Sequence, residues 1–472
     1  MRRSLVVVGL LVLGLAGPPA AAHEASAPSR TFEVTGGNAG SASGIEAVGH
    51  NALGWRGYNA DVWVHDRHAY VGSWGFSDWS QGVERFCPAQ DVAGVVVLDA
   101  RDPSAPREVS RLRHPAGTSA EDVVVFTGRY GRATGRDIAV AGIQVCGGSR
   151  YDRSFFRGLQ VWDVTNPARP VELARLNTGC CTRGLHELEV EHRPDLRKTF
   201  VYASVPASEY PDSASPSGRR DEAGRGDFRL IDVTDPRAPA EVSNWGVHRN
   251  LGAPPAPGLG CDPDNQYGHS AMPSPDGRSA FVSYWDSGFV ALDVTDPSLP
   301  VYRGTTRYGL DEDGDAHSSD FDPARRLLFS ADEDFCKTSG AGIEKGFGYL
   351  RVWDYSNPAA PRQVGEYRTP NSIGASDQQA GDYTIHNPLL IGSEVYASWY
   401  TDGIRIIDVR DATAPREVAH FVPPSENNPV KPSQRGVLTN TTQVWGVAVD
   451  ETTGLIYASD MNSGLWILRR TR

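Results

Sequence analysis

One pattern recurs roughly every 60 residues and leaves this chain few architectures other than those built by repetition. It consists of a glycine, an alternating apolar run ending in Asp, then Asp/Asn-Pro, two residues and a second Pro. The copies are Gly94 to Pro106 (GVVVLDARDPSAP), Gly158 to Pro170 (GLQVWDVTNPARP), Asp227 to Pro239 (DFRLIDVTDPRAP), Gly288 to Pro300 (GFVALDVTDPSLP), Tyr349 to Pro361 (YLRVWDYSNPAAP) and Gly403 to Pro415 (GIRIIDVRDATAP), with a partial copy from Gly464 (GLWILRR). Period-2 alternation makes a half-buried strand. Asp-x-x-Asp-Pro makes a turn in which a carboxylate caps backbone amides while Pro presets φ. A short strand follows each second Pro, and two more precede each glycine. The unit is therefore four antiparallel strands, A to D from the inside outward.

Seven such units suit an all-β, seven-bladed β-propeller, which hides sheet edges by radial repetition. The seventh unit lacks strand D, and Ile45 to His50 has the look of the missing strand. The expected organisation is a signal peptide at 1–22, a flexible lead-in at 23–44 and the propeller at 45–472, its ring closed by the N-terminal strand.

The runs VVVLD, LQVWD, FRLID, FVALD, LRVWD and IRIID, most of them followed by Asp/Asn-Pro-x-x-Pro, resemble the LVIVD-repeat family of extracytoplasmic β-propellers over about residues 45 to 470. The resemblance implies the fold and an extracytoplasmic location. It implies no single activity.

Composition agrees with export. Met1-Arg2-Arg3, the apolar run Leu5 to Ala16 and Ala20-Ala21-Ala22 are the three parts of a secretory signal, and no other run approaches membrane length. The formal charge is -12, and losing Arg2 and Arg3 with the signal takes it to -14. Nucleic acid is excluded as a partner, because phosphate binding needs a basic surface. Six cysteines in an exported chain read as disulfides. Cys87 with Cys146 is the first expected pairing and Cys180 or Cys181 with Cys261 the second; Cys336 completes the set.

Antiparallel order puts the long B-C loops and D-to-A crossings on one face, where binding usually sits over a rigid scaffold. All six cysteines lie there. Aligning strand A across the units puts Ala60, Glu121, His186, His269, His317, His386 and Trp445 at its first position, so that four imidazoles and a carboxylate converge at one mouth of the channel. That donor set suits Fe, Cu, Mn or Zn, with Glu187, Asp315 and Asp382 near enough to orient imidazoles. The alternative is structural. Repeats arise by duplication, and the histidines would then bond strand-B hydroxyls such as Ser204, Ser283, Ser330 and Ser398.

Trp74, Trp285 and Trp399, at the ends of three B strands, are candidates for a stacking rim for a glycan or other planar ligand. Asp311-x-Asp313-Gly314-Asp315 resembles part of a calcium loop without its terminal Glu. The expectation is a secreted monomer that binds a small molecule, a glycan or an extracellular protein on its long-loop face. A metal-dependent oxidoreductase with His186, His269, His317 and His386 on the axis, and a purely structural adhesion module, are the alternatives.

Overall fold

The computed structural model describes residues 40–56, 58–75, 86–89, 92–213, 217–252, 266–309, 312, 314–335, 346–373, 381–425 and 441–471. Residues 1–22, most of the lead-in, Cys261, Cys336, Asp311 and Asp313 lie outside the described residues, so the signal peptide and the calcium loop are not seen in it. The fold is all-β and made of antiparallel sheets of the propeller type. Strand A runs over Asn59–His65, Thr118–Thr127, Leu188–Arg193, Gly268–Pro273, Ala316–Asp322, Pro388–Ile391 and Val444–Asp450 in successive units. In the fourth unit the order is Gly268–Pro273, Ser279–Tyr284, Gly288–Asp293, Val301–Thr305, each strand bonded to the next. The first two units merge into one sheet through the single pairing of Ser73 with Ala120.

The repeat motif works as its chemistry requires. The strand-ending carboxylate accepts the backbone N–H two residues on, as in Asp163 to Thr165, Asp232 to Thr234 and Asp293 to Thr295. The second Asx repeats the bond, as in Asp296 to Ser298 and Asn357 to Ala359. Arg101 and Arg107 close on Asp99 and hold its carboxyl well below the usual range. The leading glycine has a cause of its own. Gly158 and Gly403 have φ of 134° and 75°, and a Cβ there would lie 2.1 and 2.2 Å from a carbonyl oxygen of strand D.

Each unit is one sheet with two faces to cover, and it covers them against its neighbours. Val124, Ile138 and Val161 of the second unit share a core with Leu188, Val201 and Ile231 of the third. Other cores join units one and two, three and four, four and five, five and six, and six and seven. Val62, Ala69 and Val71 of the first unit pack on Tyr457, Leu465 and Ile467 of the seventh. Burial of a side chain of this kind is worth about 1.5–3 kcal/mol, so the contacts between units hold the sheets together.

The N-terminal strand Ile45–Asn51 pairs with Gly464–Arg470, in the order Ile45–Asn51, Gly464–Arg470, Leu455–Asp460, Val444–Asp450. His50 stacks on Trp466 at 4.1 Å, and Ile45 is buried. The lead-in ends earlier than its small polar residues suggest. Ser41–Ser43 pairs with Phe421 and its neighbours as a fifth strand on the sixth sheet, because an outer strand leaves backbone N–H and C=O groups unpaired and a short polar segment can satisfy them.

Cys87 is bonded to Cys146, which ties the long loop of the first unit to that of the second. The second expected pairing is corrected: Cys180 is bonded to Cys181, its neighbour in sequence, and therefore not to Cys261.

Two outcomes test this arrangement. Deleting residues 23–51 should lower the melting temperature by at least about 5 °C relative to deleting 23–40, since it exposes an edge and uncovers Trp466 and its core; equal melting temperatures would refute closure by this strand. Mapping of non-reduced peptides should return Cys87 linked to Cys146 and Cys180 paired with Cys181. Reduction should cost about 2–4 kcal/mol for the longer bridge, and a Cys261 linkage to either member of the vicinal pair would contradict the mapping.

Candidate metal centre

What aims the histidines is an irregularity at the start of strand A. Its register against strand B shifts between Asn59 and Val62, Ala120 and Val123, Gly268 and Ala271, Ala316 and Ser318, and Val444 and Gly446. In the third unit His186 N–H donates to the Ser204 carbonyl while Ser204 N–H donates to that of Glu187, and His386, Asn387 and Ser398 repeat this in the sixth. Each is a β-bulge, in which two residues oppose one and side chains are re-aimed. Two consecutive residues per unit are thereby placed at the channel.

The first residues are those found by aligning the repeats, and they succeed one another around the axis. His186 Nδ1 lies 2.7 Å from Glu121 Oε2, and His186 Nε2 lies 2.7 Å from His269 Nε2. Ring centroids are 4.0 Å apart for His269 and His317, 4.1 Å for His317 and His386, and 4.3 Å for His386 and Trp445. Ala60 packs with Trp445 in one aromatic cluster.

The second residues are Asp61, Asp122, Glu187, Ser270, Ser318, Asn387 and Gly446, and they stitch units together. Asp122 accepts Leu188 N–H at 2.7 Å, Ser270 Oγ donates to the His317 carbonyl at 2.7 Å, Ser318 Oγ to that of His386 at 2.6 Å, and Asn387 Nδ2 to Asp61 at 2.7 Å. Gly446 carries no side chain because a Cβ would lie 2.2 Å from Asp61 Oδ1.

Hydrogen bonding assigns the proton of one imidazole. His386 Nδ1 donates to the Trp445 carbonyl at 2.7 Å, so Nε2 of the neutral ring carries the lone pair. His186 Nδ1 lies 2.7 Å from Glu121 Oε2 and is hydrogen-bonded to Gln144 Nε2 at 3.1 Å, while its Nε2 and His269 Nε2 share one hydrogen. His269 Nδ1, both nitrogens of His317 and His386 Nε2 are buried without a hydrogen-bond partner. Two carboxylates stand between them. Glu187 Oε1 is 3.6 Å from His269 Nδ1 and 3.6 Å from His317 Nε2, and Glu333 lies 3.7 Å from His317 Nε2 and 3.9 Å from His386 Nε2. These separations are too long for hydrogen bonds. His186, Glu187 and His269; Glu187, His317 and His386; and His269, His317 and Glu333 each bring ligand atoms within 4.8 Å.

Burial, then the neighbouring imidazoles, holds His269 and His317 well below the ordinary histidine value, and burial pushes His386 down to about 3. All three are neutral at pH 7, the form in which imidazole binds metals. Burial and then the carboxylates Asp122, Asp61, Glu121 and Glu333 push Glu187 well above the usual range.

The strand-B hydroxyls do not hold the histidine rings. Ser204 Oγ donates to the Gly268 carbonyl, Ser283 pairs with Ser270, Ser330 accepts the Trp353 indole and Ser398 donates to the Trp445 carbonyl. Of the acids expected beside the imidazoles, Glu187 lies there. Asp382 accepts from Gln443 at 2.9 Å, and Asp315 offers its carbonyl to Glu333 N–H at 2.8 Å. Glu333, to which the Tyr400 hydroxyl donates, lies just beyond strand B and outside the strand-A positions that the repeat alignment compares.

The three tryptophans do not form an exposed stacking rim. Trp399 has no exposed surface and donates to the Tyr383 carbonyl, Trp285 is buried against Tyr267 and His269, and Trp74 packs edge-on to Tyr58 and near Trp445. Ring packing claims their faces. His192, at the far end of strand A, bonds Thr199 Oγ1 at 2.8 Å, away from the cluster.

Comparison with known proteins gives one family. The model of the LVIVD repeat matches residues 276–306, which span strands B, C and D of the fourth unit. No curated protein sequence matches the chain. Among solved structures, the crystal structure of the computationally designed Ika8 protein aligns with a TM-score of 0.45 and 8% identity, covering 89% of this chain and 98% of that one. Residues 276–306 thus form an LVIVD repeat, a β-propeller repeat of the kind the sequence resembles.

Proposed function

We propose that the protein is an exported, seven-bladed β-propeller, closed by its N-terminal strand, that binds a transition-metal ion in the mouth of its central channel. The ligands would be His269 Nδ1, His317 Nε2 and His386 Nε2, with Glu187 and Glu333 completing the shell. His186, backed by Glu121 and Gln144, supports the set by holding the His269 ring through its Nε2.

The observation that carries this reading is the three buried imidazole nitrogens, none with a hydrogen-bond partner, that face carboxylates 3.6–3.9 Å away. In a tetrahedral site with bonds of about 2.1 Å, ligand atoms are about 3.4 Å apart. The groups therefore stand slightly wider than an ion would draw them. Three imidazoles with carboxylates suit Fe, Cu, Mn or Zn rather than Ca or Mg, which prefer oxygen throughout. The two disulfides support an oxidising compartment, and no helix among the described residues is long and apolar enough to cross a membrane.

Elemental analysis of exported protein carrying no affinity tag should return one such metal per chain. A chelator should lower the melting temperature, because an ion at a thousandfold excess over its dissociation constant adds about 4 kcal/mol of stability. His317→Ala should abolish both metal retention and the chelator response, whereas His192→Ala should leave both intact. A melting temperature indifferent to chelators and to added Cu, Fe, Mn or Zn would overturn the assignment.

A further inference from the structure

The bond between Cys180 and Cys181 lies in the crossing from Val171–Asn177 to Leu188–Arg193 and joins residues adjacent in sequence. A disulfide stabilises a fold mainly by restricting the unfolded chain, and the gain grows with the length of the loop it closes. Cys87 and Cys146 are 59 residues apart and gain accordingly. A bond between neighbours closes no such loop, so chain entropy gives no reason for it.

The surroundings of the two sulfurs suit a dithiol as well as a disulfide. Cys180 Sγ is 3.8 Å from the Arg150 carbonyl oxygen and 4.0 Å from that of Tyr151, and Cys181 Sγ is 3.9 Å from Glu222 Oε1. An S–H group can donate to oxygen at these separations, whereas a disulfide sulfur has no hydrogen to donate. The backbone around the pair is held without the sulfurs. Glu222 N–H donates to the Cys180 carbonyl at 3.0 Å, Cys181 N–H donates to the Arg220 carbonyl, and Arg157 Nη1 donates to the Thr182 carbonyl at 2.7 Å. The turn therefore keeps its anchors whether the bond is closed or open.

Cations frame this turn in a chain whose formal charge is -12. Arg225 donates to the Thr178 carbonyl and lies against Gly179, where a Cβ would be 2.7 Å from its Nη2. Arg157 holds the other end, and Arg153 pairs with Glu222 at 2.9 Å and offsets its charge. Guanidiniums beside a cysteine stabilise its thiolate, the form that leaves when a disulfide is attacked. Access separates the two sulfurs: Cys180 is half-buried, while Cys181 is 3% exposed. An incoming thiolate thus meets Cys180, with Cys181 as the leaving group.

We infer that Cys180–Cys181 is a redox site that oxidises a low-molecular-weight thiol to its disulfide. The thiolate of one thiol molecule attacks Cys180 Sγ, the Cys180–Cys181 bond breaks, and its electron pair leaves on Cys181 Sγ. The thiolate of a second molecule attacks the first at its sulfur, releasing the small disulfide and leaving an electron pair on Cys180 Sγ. The two protons shed by the small thiols pass to the two cysteines, whose S–H groups then donate to Glu222 and to the Arg150 carbonyl. Two thiols are oxidised and one disulfide is reduced. No metal takes part, so the inference stands apart from the histidine centre.

Mature, chelator-treated protein kept folded and free of oxygen should react with excess 2-mercaptoethanol to give one molecule of 2-hydroxyethyl disulfide and two new thiols per chain. Alkylation and peptide mapping should place both thiols at Cys180 and Cys181, with Cys87–Cys146 intact. The melting temperature should fall by less than about 2 °C, because no long loop is opened. In Cys181→Ser, the Cys180 thiol should take up 2-hydroxyethyl disulfide as a mixed disulfide at least about tenfold faster than the Cys181 thiol does in Cys180→Ser. A Cys180–Cys181 bond that stays closed in the folded protein would overturn the assignment. So would opening of Cys87–Cys146 at the same rate, a larger fall in melting temperature, or equal uptake by the two variants.

Discussion

The bulge at the head of strand A is the constraint on which the rest of the channel depends. A regular strand would send alternate side chains to opposite faces of its sheet, and each unit would offer the axis one residue at this level. The bulge offers two, and it sets a condition on the partner strand. The residues opposite are Gly72, Gly142, Ser204, Ser283, Ala331, Ser398 and Ser459, all small. The backbone of the next unit explains why: a Cβ on Gly72 would lie 2.1 Å from the Glu121 carbonyl, and on Gly142 2.9 Å from that of His186. Where the residue is serine, its hydroxyl can use the same proximity, as Ser204 does with the Gly268 carbonyl and Ser398 with that of Trp445. One local irregularity therefore sets the distance between units and the contents of the channel together.

That geometry leaves polar atoms in a costly state. A buried acceptor without a partner costs about 1–3 kcal/mol, and the imidazoles hold several within one cluster. A protein that needed these rings only for packing could have filled the same space with apolar side chains, as it does with Ala60 and Trp445 in the adjoining units. The depressed basicity of His269, His317 and His386 points the same way, since burial and mutual repulsion keep protons off nitrogens that a metal can use.

How much of this was readable in the sequence depends on what repetition makes visible. Glycine, alternation and Asp-Pro recur in phase, so the strands, the turns and the alignment of His186, His269, His317 and His386 follow from counting. The same alignment finds Glu121, because it occupies the equivalent place in its unit. Glu333 breaks no pattern and continues none: it lies outside the strand-A positions that the alignment compares, and its meeting with His317 is a tertiary fact. The bulges leave no mark either, since a register shift changes pairing without changing alternation at the apolar positions. The Cys180–Cys181 bond is hidden for a related reason: adjacency in sequence reads equally well as two candidates for one distant partner.

The repeat is not uniform where the imidazoles gather. Four consecutive units carry histidine, and the last and first units carry Trp445 and Ala60 at the same place instead. Trp445 meets the His386 ring on one side and has Tyr400 and Trp74 nearby. An aromatic wall of this kind holds water away from one side of the imidazoles and lowers the local dielectric, which strengthens the attraction between a cation and Glu187 or Glu333. The chain gathers His269, His317 and His386 on one side, where adjacent rings are close enough to share a ligand.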